Sequence, residues 1–159
     1  MKTIIIGVGN PILGDDGVGI HVANQLKQKN IANFNIKIDE AATGGMNLLD
    51  LIKGYDKAVI IDAVKSNNGE HGMVERISID NFTTMHSYNP HDVSLTEAIE
   101  LSKKIGEKQI PKEIVVIGII IKNSPCEFSE KLSDEISKAV PKAVEMVLNE
   151  IKNDGRTSS

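Results

Sequence analysis

The chain of 159 residues has the length of one ordinary domain, and its 40% apolar and 25% charged residues exclude wholesale disorder and a fibrous architecture. A formal net charge of -4 without a clustered basic face argues against a nucleic-acid partner. No apolar run approaches the roughly 20 residues that span a bilayer, so we expect no membrane partner. Cys126 has no second cysteine to pair with and no leader-like segment is recognisable, which predicts a cytoplasmic protein.

The first part of the chain predicts three strands and two helices. Thr3 to Val8 is a continuous apolar run rich in β-branched residues, which is typical of a buried strand. Apolar residues then recur every four positions from Val18 to Leu26 and predict an amphipathic helix. Asn35 to Glu40 alternates polar and apolar residues, as strands near a sheet edge do. Met46 to Ile52 predicts a short helix, and Ala58 to Val64 a second buried strand.

The second part of the chain predicts two strands and two helices. Met73 to Ile79 alternates like an edge strand, and Leu95 to Ile105 has a helical period. Ile114 to Ile121 is a third buried strand. The spacing from Leu132 to Leu148 predicts a C-terminal helix, which Pro141 should kink or restart because it removes a backbone donor.

These elements predict an α/β fold. Strands that alternate with helices favour a three-layer αβα sandwich with a mostly parallel sheet of five strands. The connection from Ser66 to Gly72 is too short for a parallel crossover, so the third and fourth strands should form an antiparallel pair and make the sheet mixed. We expect one domain over residues 1–152, followed by a polar tail over residues 153–159 that frays.

Three segments with polar side chains follow the predicted strands at the end of the sheet where α/β proteins bind ligands. The loop after the first strand carries Asp15 and Asp16, the third strand contains Asp62, and the segment before the third helix carries His91. Either Asp15 or Asp16, with Asp62 and His91, would offer two hard oxygen donors and an imidazole to Ni, Zn, Fe or Mn. The competing structural interpretation makes Asp16 a helix cap and gives Asp62 hydrogen bonds to loop amides.

A dinucleotide site is the other interpretation of the first loop. Gly7 and Gly9 follow a strand, and Asp39 lies where an acid that binds ribose would be expected. Ile12 then occupies the position of the third glycine, and two carboxylates come where a pyrophosphate requires the positive end of a helix. The pattern therefore disfavours a nucleotide ligand.

The segment Gly7–Gly19, with the sequence GVGNPILGDDGVG, resembles the N-terminal signature of the hydrogenase maturation endopeptidases. This family trims the C-terminus of the large subunit of nickel–iron hydrogenases. Three later segments resemble its third-strand motif, its histidine segment and its last strand, in the family's order: Ile61–Ala63, Pro90–Leu95 and Val115–Ile119.

The resemblance implies roles for individual residues. Asp16, Asp62 and His91 match the positions that contact metal, and Asp16 and Asp62 would also be the catalytic residues. The family often has an acid followed by Gly-Gly-Thr after its second strand, whereas Glu40 is here followed by Ala-Ala-Thr-Gly-Gly. The residues expected to line the substrate cleft are Asn10, Glu40, Thr43 and Gly44.

The resemblance also implies a function. The chain would be an endopeptidase that removes the C-terminal extension of a hydrogenase large-subunit precursor after nickel insertion, and nickel carried by that precursor would be the recognised feature. The resting site would be empty or hold another divalent metal such as Zn or Cd, and we expect a monomer. The alternatives are a noncatalytic nickel-checking chaperone of the large subunit and, less favoured, a nucleotide-binding protein.

Overall fold

The computed structural model describes residues 1–42, 45–65, 69–79, 95–122 and 129–157. Within these ranges lie all nine predicted elements, and the strand boundaries differ from the predicted ones by at most one residue. A 3₁₀ turn, Gly14–Gly17, precedes the first helix. The strands and helices are β1 (Thr3–Val8), α1 (Val18–Gln28), β2 (Ile36–Ala41), α2 (Gly45–Ile52), β3 (Lys57–Val64), β4 (Val74–Ser78), α3 (Leu95–Lys104), β5 (Glu113–Ile120) and α4 (Asp134–Thr157).

The strands form one sheet in the order β2-β1-β3-β5-β4. β1 pairs in parallel with β2 and β3, and β3 pairs in parallel with β5. β4 alone is antiparallel to its neighbour, β5. The prediction of a mixed, mostly parallel five-stranded sheet is confirmed, and the two alternating segments lie at its edges as predicted.

Helices cover both faces of this sheet. α1 and α4 pack on one face, where Val22 and Val140 join the core around Ile61. α2 and α3 cover the other face, where Leu49 joins the core around Ile60. Successive residues of β3 thus face different layers, which confirms the predicted αβα sandwich and explains why the middle strands are mostly apolar on both faces. Among the described residues, no helix combines the length and the apolar character needed to cross a membrane.

The position of β4 corrects one prediction. The short connection after β3 predicts a direct antiparallel pair of β3 and β4, but β5 lies between them. The connection crosses the end of β5, where the N–H of Gly72 donates to the carbonyl of Ile120 at 2.7 Å. Gly69 fits at this crossing because a Cβ would collide with the Ile120 side chain. β5 takes the central place since its apolar run can be buried on both faces, whereas the alternating β4 suits an edge.

α4 is longer and more continuous than the sequence predicts. It runs through Pro141 from Asp134 to Thr157 without a restart. The proline deprives the carbonyl of Ser137 of its helical donor, but both residues are exposed, so water can satisfy that carbonyl. The helix also continues through Asn153 into the segment predicted to fray, because each residue added to a nucleated helix gains one hydrogen bond.

Candidate active site

The carboxyl ends of β1 and β3 border the crevice where this sheet is expected to bind a ligand. The chain leaves β1 through α1 toward β2 on one side, then passes through α2 to β3 on the other side of β1. The strand order therefore reverses between β1 and β3, and ligands of open α/β sheets bind at such a reversal. The loop that carries Asp16 and the strand that carries Asp62 meet at this crevice.

Asp62 is fully buried near the carboxyl end of β3, with 0% of the residue exposed. It pairs with Gly118 of β5 and lies one residue beyond the last pair between β1 and β3. Strand alternation places it on the same face as Ile60, toward the layer of α2 and α3. A carboxylate is costly to bury in an apolar strand, so its presence there favours a functional group over a packing group.

Asp16 lies in the 3₁₀ turn between β1 and α1 and is half-buried. Its Oδ2 accepts a hydrogen bond of 3.2 Å from the backbone N–H of Asn10. The Oδ1 of Asn10 in turn accepts from the N–H of Ile12 at 3.2 Å. Asn10, predicted to line the substrate cleft, is therefore tied to Asp16 within one loop, and the turn itself lies against β3.

Two glycines allow this loop and α1 to approach the strands. Gly9 has a φ of 153°, and a Cβ there would collide with the backbone carbonyl oxygen of Asp16. Gly19, in the first turn of α1, would collide in the same way with the carbonyl oxygen of Ile61, the residue before Asp62. A larger residue at Gly9 would displace the turn of Asp16, and one at Gly19 would push α1 away from β3.

Asp15 and Asp16 are adjacent but have different surroundings. Asp15 is 5% exposed, and its Oδ1 accepts the backbone N–H of Ser133 at 2.7 Å. Its Oδ2 accepts the hydroxyl of the same serine at 2.8 Å. Both oxygens of Asp15 are thus engaged by the residue that precedes α4, which leaves Asp16 as the stronger candidate ligand of the two.

The structure does not bring all the predicted site residues together. The carboxylate of Glu40 lies 3.1 Å from Nζ of Lys27 in α1, and strand alternation directs it to the opposite face from Asp62. His91, Thr43 and Gly44 lie outside the described residues. Within the described ranges, no group of three or more histidine, cysteine or acidic side chains is arranged to hold a metal ion. Asp16 and Asp62 can supply two of the three predicted ligands.

Comparison with known sequences decides the family. The family model described as hydrogenase maturation protease matches residues 20–150. The chain is also 33% identical over 153 residues to a putative hydrogenase maturation protease of Methanocaldococcus jannaschii, an alignment that covers 94% of this chain and 96% of the relative.

The chain belongs to the hydrogenase maturation protease family.

Solved structures of this protease family have the same fold. The hydrogenase maturating endopeptidase HybD from Escherichia coli superposes with a TM-score of 0.78 over 100% of both chains at 24% identity. A nickel–iron hydrogenase maturation protease from Thermococcus kodakarensis gives 0.70 at 25% identity, over 95% of this chain and 92% of that one. The family and the fold that the sequence motifs predict are confirmed, and the chain is a member of a peptidase family.

One contact in this maturation protease site has only a faint signal in the sequence. Ser133 comes before two acidic residues and the apolar period of α4, which is typical of a helix cap. Its hydroxyl instead donates to Asp15, which is 118 residues away along the chain. A local motif cannot reveal such a contact between distant residues. The pair of adjacent aspartates indicates only that the two carboxylates require different partners.

Proposed function

We propose that this chain is an endopeptidase that removes the C-terminal extension of a nickel–iron hydrogenase large-subunit precursor after nickel insertion. The observation that carries the proposal is the fully buried Asp62 at the carboxyl end of β3, beside the turn of Asp16, in a member of the maturation protease family. The relatives support the class of substrate, since they are described as hydrogenase maturation proteases, one of them of a nickel–iron hydrogenase.

The residues suit recognition of a metal that arrives with the substrate. Two carboxylates, with His91 as the proposed third ligand, make an incomplete coordination sphere that would bind a free divalent ion only modestly. Nickel held by thiolates of the precursor would complete that sphere and would supply a Lewis acid next to the scissile bond. Asp16 and Asp62 would hold the precursor in register, and one of these carboxylates would accept the proton of the attacking water.

Mass spectrometry of a large-subunit precursor tests this function directly. The precursor is incubated with the protein, with and without nickel loaded into the precursor. We expect loss of one discrete C-terminal peptide from the loaded form alone. Cleavage of both forms would contradict nickel recognition, and nickel-dependent binding without any loss of mass would favour a noncatalytic chaperone.

The histidines provide a matched pair for the same assay. His91→Ala should abolish cleavage because it removes the proposed imidazole ligand, whereas His86→Ala, the same change five residues earlier, should leave cleavage unchanged. The reverse result would mean that His86 is the ligand.

A further inference from the structure

The segment that leads into α4 forms hydrogen bonds with the loop that carries Asp16. The backbone N–H of Ser129 donates to the carbonyl of Ile12 at 2.8 Å, and the N–H of Gly14 donates to the carbonyl of Ser129 at 2.7 Å. Four residues later, Ser133 donates to both oxygens of Asp15. The segment over residues 129–133 thus contacts the loop at both ends of the stretch just before Asp16.

The contact between Ser133 and Asp15 is stronger than the contacts of Ser129, because its acceptor is a buried carboxylate. Hydrogen bonds to a charged acceptor are about twice as strong as those between neutral groups. The N–H of Ser133 comes from the start of α4, where the helix dipole favours a negative charge. In a 3₁₀ turn, adjacent side chains project about 120° apart, so fixing Asp15 on α4 also fixes the direction of Asp16.

We propose that Asp15 and Ser133 are positioning residues, which hold Asp16 in place through the 3₁₀ turn without touching the substrate themselves. This inference rests on the proposed function for its catalytic consequence. Catalytic groups lose rate steeply when they are displaced by as little as 1 Å, so a loosened turn would lower turnover more than binding.

The test compares three substitutions in the full-length protein. Ser133→Ala removes the hydroxyl donor and Ser133→Thr retains it. Ser137→Ala is the same change four residues later, inside α4, at a serine that is exposed as Ser133 is. For Ser133→Ala we expect kcat for precursor cleavage to fall about tenfold or more, with KM unchanged, because Asp16 is misplaced. Ser133→Thr should restore kcat, and Ser137→Ala should match the wild type.

A second measurement does not depend on cleavage. The amide of Asn10 donates to Asp16, so its hydrogen exchange, followed by NMR, reports how firmly the turn is held. We expect Ser133→Ala, and independently Asp15→Asn, to speed this exchange about tenfold by making local opening easier. Ser133→Thr and Ser137→Ala should leave the exchange at the wild-type rate.

The two measurements separate the possible failures. If Ser133→Ala lowers thermal stability but leaves the Asn10 exchange and kcat unchanged, the pair is merely structural and the positioning proposal is wrong. If the wild type cuts no nickel-loaded precursor, the proposed function fails, while the exchange rates still decide whether Ser133 fixes the turn of Asp16.

Discussion

At the amino end of the sheet, a buried charge is balanced by charges of opposite sign. Lys57 begins β3, and its side chain is 2% exposed. Its Nζ lies 3.0 Å from Oε2 of Glu150 on α4 and 3.7 Å from Oε1 of Glu113 on β5. Arg76 of β4 also bonds to both glutamates. All four side chains extend from strands or a helix, so they are fixed by regular structure.

At the carboxyl end of the sheet, the charged residues described above are all acidic. Asp15 and Asp62 are buried and Asp16 is half-buried, and two of the three lie on a turn between elements. The comparison shows that burial of a charge does not by itself mark a functional site. Opposite charges on rigid elements join the layers of the fold, whereas Asp16 and Asp62 lie beside a topological reversal, where open α/β sheets bind ligands.

The largest difference between the two ends should appear with Asp62→Asn. The amide preserves size and polarity, so the melting temperature should stay near that of the wild type. Precursor cleavage should fall about a thousandfold or more, as it does when an essential catalytic carboxylate is removed. Rates and thermal unfolding are compared with Asp56→Asn, the same change at an exposed residue just before β3. Normal processing by Asp62→Asn would remove this residue from the site.

The converse result is expected for Glu150→Ala at the amino end. Removal of this carboxylate takes away the nearest opposite charge of a buried ammonium group, which should lower the free energy of unfolding by about 3 kcal/mol. Cleavage per folded molecule should not change. The control is Glu145→Ala on the exposed face of α4, which should stay within about 0.5 kcal/mol of the wild type. Equal losses in urea titrations of both variants would show that Glu150 does not balance Lys57.

Two glycines extend the comparison to the backbone. Gly9 at the site and Gly54 before β3 both have positive φ, 153° and 88°, but an added Cβ meets nothing within 4 Å at Gly54. Gly54→Ala should cost about 1–2 kcal/mol of left-handed strain and leave cleavage intact. Gly9→Ala should reduce kcat about a hundredfold because it displaces the turn of Asp16. If both variants cut the precursor equally well, the close approach at Gly9 is not needed for activity.

The contribution of Glu150, at the amino end of the sheet, to the free energy of unfolding should depend on pH. Burial would raise the pKa of the Glu150 carboxyl, but hydrogen bonds from Arg76 and Lys57 outweigh burial and hold the pKa below its ordinary 4.5. Because the folded-state pKa is the lower one, the stability that Glu150 provides is present above pH 4.5 and is lost as the pH falls through the folded-state pKa. The difference in unfolding free energy between the wild type and Glu150→Gln should therefore shrink in acid. A constant difference would contradict this account.

The smallest effect is expected for Glu40→Gln. The ion pair of Glu40 with Lys27 joins side chains that are 35% and 45% exposed, and such pairs contribute less than about 1 kcal/mol. Both cleavage and unfolding should remain close to the wild-type values. A large fall in cleavage would place Glu40 in the substrate cleft, as the sequence predicts.

Local patterns explain how much of this molecule is predictable. Hydrophobic periods depend on neighbouring residues, so they locate strands such as β1 and helices such as α1 within a residue or two. Contacts between distant residues leave no such pattern. The spacing of Asp15 and Asp16 could not say which carboxylate is engaged by another element, since the partner of Asp15 is Ser133, 118 residues away. Lys57 has the same property, because its partner Glu150 is 93 residues away.

The crossing of the β3–β4 connection over β5 delays the pairing of β4 during synthesis. During synthesis β4 emerges before β5, yet β5 is its neighbour in the finished sheet. β4 can therefore pair only after β5 has been made, and the pairing of β5 with β3, which are distant along the chain, slows folding. The alternating polar residues of β4 suit this delay, because an unpaired strand with polar side chains is less prone to aggregate.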